Sequence, residues 1–185
     1  MQGTNSSSAG RPRSDLNAVV FAATRRTVDE LGYAGATMDR IAAAAGTAKT
    51  TLYRRWPSKG ALIIDCLLDA FSPMPELTED RPASLAGAIR WLAGKIGEPG
   101  VGAAFAGVFS DAVNDPALRE LLSTRFQAPY LELLRDYLGE SEQRILLFID
   151  VITGTLLHRM GMTGRPMEDE DVELMIDMVL RTFGD

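Results

Sequence analysis

The stretch Thr37 to Trp56, TMDRIAAAAGTAKTTLYRRW, constrains this chain more than any other. It fits a short helix, a tight turn and a second, exposed helix. The Thr37 hydroxyl can accept a backbone N–H of the first turn, and Met38, Ile41, Ala42 and Ala45 recur on one face. Gly46 stops that helix, because glycine tolerates the left-handed backbone of a helix end, and Thr47 offers a new N-cap directly afterwards. The second helix, about Ala48 to Trp56, has Leu52 and Trp56 as its apolar anchors and is otherwise covered by Lys49, Thr50, Thr51, Tyr53, Arg54 and Arg55. A helix too short to be stable alone, held by two residues and coated with donors, is suited to presenting a surface. In a DNA major groove the N-terminal residues of such a helix meet base edges while hydroxyls and cations hold phosphates. A solvated polar helix on some other helical protein is the competing reading of the motif alone.

The pattern Thr37-x-x-x-Ile41-Ala42-x-x-Ala45-Gly46-x-Ala48-Lys49-x-Thr51-Leu52-Tyr53-x-x-Trp56-Pro57-Ser58-Lys59-x-x-Leu62 resembles the DNA-binding domain of the TetR family of bacterial transcriptional regulators. The resemblance runs without a gap from about Ser14 to Phe71. Beyond Phe71 it is one of length and helical pattern only. It implies an all-α protein with an N-terminal three-helix DNA-binding domain and a C-terminal helical domain for ligand binding and dimerisation. The DNA-binding set it implies is Thr37, Thr47, Ala48, Lys49, Thr50, Thr51, Tyr53, Arg54, Arg55 and Lys59. Within that set Thr37, Thr51 and Lys59 position the head and the others contact bases or phosphates. Two departures limit the transfer: Arg54 and Arg55 stand where many relatives have His, and Thr50 stands where Gly is frequent.

The charge distribution agrees with a polyanion met at one end. Residues 1–64 hold nine Lys/Arg against four acids, while the rest hold ten against twenty-one, so a basic head precedes an acidic body within a net charge of −6. With 46% apolar residues over 185 positions there is ample material for a core. No run of 18 apolar residues and no apolar signal core is present, so a soluble, cytoplasmic bacterial protein, nucleoid-associated when on DNA, is expected. One cysteine, Cys66, and one histidine, His158, argue against a disulfide framework and against a zinc site, and no cofactor is expected. Cys66 lies on an apolar helix face and reads as a small buried hydrophobe.

Taken in order, residues 1–13 are Gly-, Ser- and Arg-rich and read as a disordered basic arm, in which Arg11-Pro12-Arg13 either touches DNA or is an untethered tail. The head spans 14–71. Its first helix runs from near Ser14 to Leu31, with Leu16, Val20, Phe21, Ala23, Thr27, Val28 and Leu31 on one face, Gly32 as its stop and Tyr33 as a packed loop anchor. After the reading helix, Pro57 blocks further helix and Ser58 caps the next one, through Leu62, Ile63, Cys66, Leu67, Ala70 and Phe71. Lys59 in its first turn suits a phosphate clamp. Residues 72–83 form a Pro-rich, acidic linker.

The body, 84–185, reads as helices over 84–97, 101–113, 116–138 with a bend at Pro129, 141–162 and 168–183. No segment shows sustained period-two alternation. The helix over 141–162 is apolar almost all round, and Val172, Met175, Ile176, Val179, Leu180 and Phe183 make a clean stripe on the last one. Gly154 and Gly161 mark where another helix can come close. A homodimer through the last two helices is the natural sink for this surface and the arrangement the family implies. A monomer with a two-layer core is the alternative.

The family also implies an inducer cavity, for which Trp91, Phe105, Phe109, Phe126, Tyr130, His158 and Met160 are the candidates. Aromatics at helical spacing equally serve as plain core, and His158 fits a satisfied core histidine at least as well as a ligand donor. Gly100, Gly102 and Gly107 thin one wall and leave space. The expected function is a ligand-responsive, sequence-specific regulator, normally a repressor, on a near-palindromic operator, with an unidentified small-molecule inducer and no membrane. The rivals are a helical module whose basic head binds anionic surfaces nonspecifically, and an enzyme. No H-E-x-x-H, Gly-rich phosphate loop or Ser-x-x-Lys motif supports the latter.

Overall fold

The computed structural model describes residues 13–183, and α1 (Arg13–Gly35) is the backing of the head. Val20, Phe21, Ala23 and Val28 are buried along it. Thr24 and Thr27 are buried with them and donate their hydroxyls one turn back, to Val20 O at 2.8 Å and Ala23 O at 2.7 Å. A hydroxyl inside the core must be satisfied, and the preceding turn supplies the nearest acceptor. Gly32 leaves helical dihedrals at φ +69°, the expected break, but a further turn follows to Gly35. Leu31 sits at that break and is 47% exposed, so it does not extend the buried face as expected. The expected arm lies outside the described residues, apart from the backbone of Arg13 at the start of α1.

The turn region shows why one capping expectation fails. Helix α2 (Met38–Ala44) is capped as expected, Thr37 Oγ1 accepting from Arg40 N at 3.3 Å. At its end Gly46, at φ +60°, donates to Ala43 O, and Thr47 N reaches back to Ala42 O at 3.0 Å. That paired closure uses Thr47 to finish α2. Helix α3 (Lys49–Arg55) starts one residue later than expected, so its N-cap is Ala48, with no side-chain cap bond. Ser58 does cap α4 (Lys59–Ala70), accepting from Ala61 N at 3.1 Å. Leu62, Ile63, Ile64, Cys66 and Leu67 of α4 are buried, and Phe71 continues their face into the body.

The body comprises α5 (Arg81–Gly97), α6 (Val101–Ala112), α7 (Pro116–Leu121), a π-helical turn (Leu122–Gln127), α8 (Ala128–Leu138), α9 (Glu142–Thr163) and α10 (Asp169–Phe183), with no strand among the described residues. Helix α5 begins ahead of Ser84 because Asp80 caps it and Pro82 suits its first turn. The expected bend at Pro129 takes the form of the π turn just before it. Proline has no N–H for the carbonyl of Arg125 and crowds it, and Ala128 N bonds instead to Ser123 O, five residues back.

Helix α6 packs against both α1 and α4. Its glycines admit neighbours and leave no empty space, contrary to the expectation that they thin a cavity wall. A Cβ at Gly107 would lie 2.0 Å from the Tyr33 ring, and one at Gly100 2.1 Å from Arg25 O. A Cβ at Gly102 would meet Ile96 O at 2.5 Å and Met160 Sδ at 2.6 Å. Helix α10 lies on α5, where Arg90 makes two bonds to Glu173 at 2.5 and 2.6 Å.

Candidate nucleic-acid interface and ligand cavity

Helix α3 is anchored by buried Leu52 and by Trp56, whose ring packs 5.8 Å from Phe21. With those two residues turned inward, Lys49, Thr50, Tyr53 and Arg54 are exposed along the outer face, and Ala48 precedes them at the turn. Thr51 and Arg55 are half-buried at the flanks. Arg55 donates to Asn17 Oδ1 of α1, which fixes its stem across the head.

Lys49 and Lys59, like Arg55, have internal partners that sequence reasoning missed. Lys49 Nζ lies 2.7 Å from Asp39 Oδ1 and 5.7 Å from the Tyr53 ring centre. The hydrogen bond to Asp39 raises the lysine pKa, so the group is fully cationic at neutral pH. Lys59 Nζ donates to Tyr33 O at 3.1 Å and stands 3.7 Å from the centre of that ring. The structure gives Lys59 a bracing contact to the last turn of α1, where a phosphate clamp was expected. Tyr33 is a packed anchor as anticipated, but in that helical turn and not in a loop: its hydroxyl donates to Asp111 Oδ2 of α6 at 2.6 Å. Desolvation, followed by that carboxylate, drives the phenol pKa well up, so the hydroxyl keeps its proton.

The body contains a cavity of about 550 Å³ that is partly open to solvent. Phe71, Trp91, Phe105, Phe109, Phe126 and Tyr130 line it, joined by aliphatic side chains from α5, α8 and α9. The rings form one cluster, with centroids 4.6 Å apart for Phe105 and Phe109 and 5.1 Å for Phe105 and Phe126. Ser123, Gln127, Asp150 and Thr153 supply polar groups, and Arg119, also on the wall, bonds back to Ala112 O and Val113 O. Such a wall suits an apolar, ring-bearing molecule with a few polar substituents.

Five of the seven candidate ligand residues therefore converge. The other two do not: Met160 packs against α6 beside Gly102, and His158 is exposed on the outer face of α9. The reading of His158 as a core residue is corrected by that exposure. One turn of an all-round apolar helix points outward, and only packing reveals which. Phe71 was missed as a wall residue because its sequence position assigns it to the head. Cys66 is buried with its thiol donating to Phe21 O at 3.6 Å, and burial raises its pKa to about 11.

A polar reading helix on a three-helix head, carried by a helical body, defines a helix-turn-helix DNA-binding regulator. Sequence comparison makes the class specific. The model for bacterial regulatory proteins of the tetR family matches residues 20–66, and that for the tetracyclin repressor-like C-terminal domain matches residues 75–179. The chain belongs to the TetR family of bacterial transcriptional regulators. An HTH-type transcriptional regulator of Mycobacterium tuberculosis, itself uncharacterised, is 25% identical over 179 residues, covering 91% of this chain and 88% of that protein. The crystal structure of the TetR family transcription regulator SCO0332 superposes with a TM-score of 0.63 at 25% identity, over 92% of this chain and 97% of that one. The multidrug binding protein EbrR, solved with imidazole, shares the fold with a TM-score of 0.60 at 17% identity, over 91% of this chain and 96% of that one. The chain is thus a DNA-binding transcriptional regulator of a family that acts as dimers, and not an enzyme.

Proposed function

We propose that this regulator is a repressor that binds a near-palindromic operator as a homodimer and is released when a small apolar molecule fills the cavity. The position of the cavity carries the reading. Phe105 and Phe109 of α6 form its wall, while Gly100 and Gly107 of the same helix touch α1. An occupant that displaces α6 displaces the backing of the reading helix with it. The fold is shared with a multidrug binding protein, which supports a small-molecule ligand.

Dimerisation through α9 and α10 sets the spacing of the two heads. Leu147, Val151 and Met162 of α9 and Leu174 and Met178 of α10 are exposed in the single chain, and nothing lies within 4 Å of a Cβ placed at Gly154 or Gly161. By length and composition α9 would suffice to cross a bilayer. In a DNA-binding regulator, a four-helix interface between two copies is the economical cover for that face. In the groove, Thr47, Ala48, Lys49, Thr50, Tyr53, Arg54 and Arg55 face DNA, with Thr37 and Thr51 holding the head in register and Lys59 bracing it.

Selection of genomic fragments by the purified protein at physiological salt, followed by footprinting, tests the reading. An enriched near-palindrome with two protected half-sites is the expected result. General enrichment that vanishes as salt rises would overturn it in favour of a head that binds anionic surfaces without reading sequence.

A further inference from the structure

The π turn of the body has one face on the cavity and the other on the head. Ser123, Phe126 and Gln127 line the cavity. Arg125, in the same turn, reaches to α4, where its Nη2 stands 2.8 Å from Asp65 Oδ1. The other oxygen of that carboxylate, Oδ2, accepts from Trp56 Nε1 at 2.9 Å. Trp56 is the C-cap of α3 and is 4% exposed, so its indole fixes the end of the reading helix. Close packing keeps the pieces together: a Cβ at Gly60 of α4 would lie 2.6 Å from Leu118 Cδ1, in the helix that leads into the π turn.

We propose that Arg125 and Asp65 are positioning residues for DNA binding, and that the π turn is where the cavity wall is tied to the reading helix. This rests on the reading that the head binds an operator. Asp65 Oδ1 is shielded from water and receives no directed hydrogen bond, so the Arg125 charge is what makes its buried position tolerable. Without that charge the carboxylate turns toward solvent, Oδ2 leaves the indole, and α3 loses the polar contact at its C-terminal end. The π turn suits such a link because its Ala128 to Ser123 bond can be exchanged for ordinary α pairing only with a shift of residue positions. A change of register at Phe126 carries Arg125 with it.

The test uses the full chain and the operator fragment obtained from the selection above. Arg125→Gln, Asp65→Asn and the double variant are titrated with that fragment, and Arg125→Lys serves as the conservative rescue. Thermal unfolding is recorded for each variant. The Trp56 indole N–H resonance is followed by NMR, assigned by its survival in Trp91→Phe. The expected result is an affinity about tenfold weaker for Arg125→Gln, in a chain that thermal unfolding shows to be still fully folded at the temperature of the titration. The double variant is no weaker than the worse single one, Arg125→Lys recovers most of the affinity, and the Trp56 indole resonance moves in Arg125→Gln. Wild-type affinity in Arg125→Gln, additive losses in the double variant, or an unmoved Trp56 resonance would overturn the proposal. Failure of the wild-type chain to bind any fragment specifically would instead overturn the operator reading, so the two failures are distinguishable.

Discussion

Lys49 lies 2.7 Å from Asp39, and both side chains are more than half exposed, so the pair is cheap to break. A DNA phosphate that takes the ammonium must displace Asp39, whose own charge repels the duplex. Lys49→Ala should weaken operator binding and reduce the slope of log affinity against log salt by about one. Asp39→Asn should act in the opposite direction, strengthening binding. Titrations at several salt concentrations check both, and an unchanged slope in Lys49→Ala would remove that residue from the phosphate contacts. Cys66 makes a different residue-scale prediction. Its thiol pKa, raised by burial from 9.0 to about 11, keeps it neutral at pH 8. A disulfide reagent at pH 8 should leave the folded chain unlabelled and label it fully in denaturant. Because the folded value is the higher one, the stabilising contribution of this group is complete below pH 9 and is lost as pH rises through about 11.

At the scale of elements, α6 is the part whose position matters most, and its glycines are where it is exposed to test. Gly107→Ala places a methyl 2.0 Å from the Tyr33 ring and should destabilise the chain by about 1–3 kcal/mol while weakening operator binding. Gly87→Ala, in α5, meets nothing within 4 Å and should stabilise by roughly 0.5–1 kcal/mol. Denaturant unfolding of the two variants separates them, and equal effects would mean that α6 is not held against Tyr33 as described. The element boundaries were largely legible in the chain because caps are local chemistry. Thr37 and Ser58 bond as their sequence positions imply, and in the structure Ser141 caps α9 in the same way. Thr47 does not, because α3 starts one residue later than expected and puts Ala48 in the N-cap position. The π turn was not legible either, since Pro129 announces a disturbance without saying which side of it the backbone will yield.

For the whole molecule, the apolar area left on α9 and α10 is the strongest unmet demand. Replacing Leu174 and Met178, which are 62% and 65% exposed, by Asp should cost the folded chain little, since neither side chain is buried in it. The same change should convert the dimer to a monomer, read by light scattering after size exclusion. The monomer should lose most of its operator affinity, because one head neutralises half the phosphates and reads half the site. A doubly substituted chain that stays dimeric would move the interface elsewhere.

By itself the sequence determined the helical class and the helix-turn-helix, because those depend on periodicity, caps and a motif contained within some 25 consecutive residues. It also marked Trp91, Phe105, Phe109, Phe126 and Tyr130 as a group, since large rings in one region of a helical body have few places to go. Only the tertiary structure decided that Phe71 belongs with those rings, that Met160 and His158 do not, and that Gly100 and Gly107 serve contact with the head. It alone joined Arg125, Asp65 and Trp56. The physical reason is range: a cap or a stripe is written in neighbouring residues, whereas a contact across 60 residues is settled by how the helices pack and which groups that packing leaves in need of a partner.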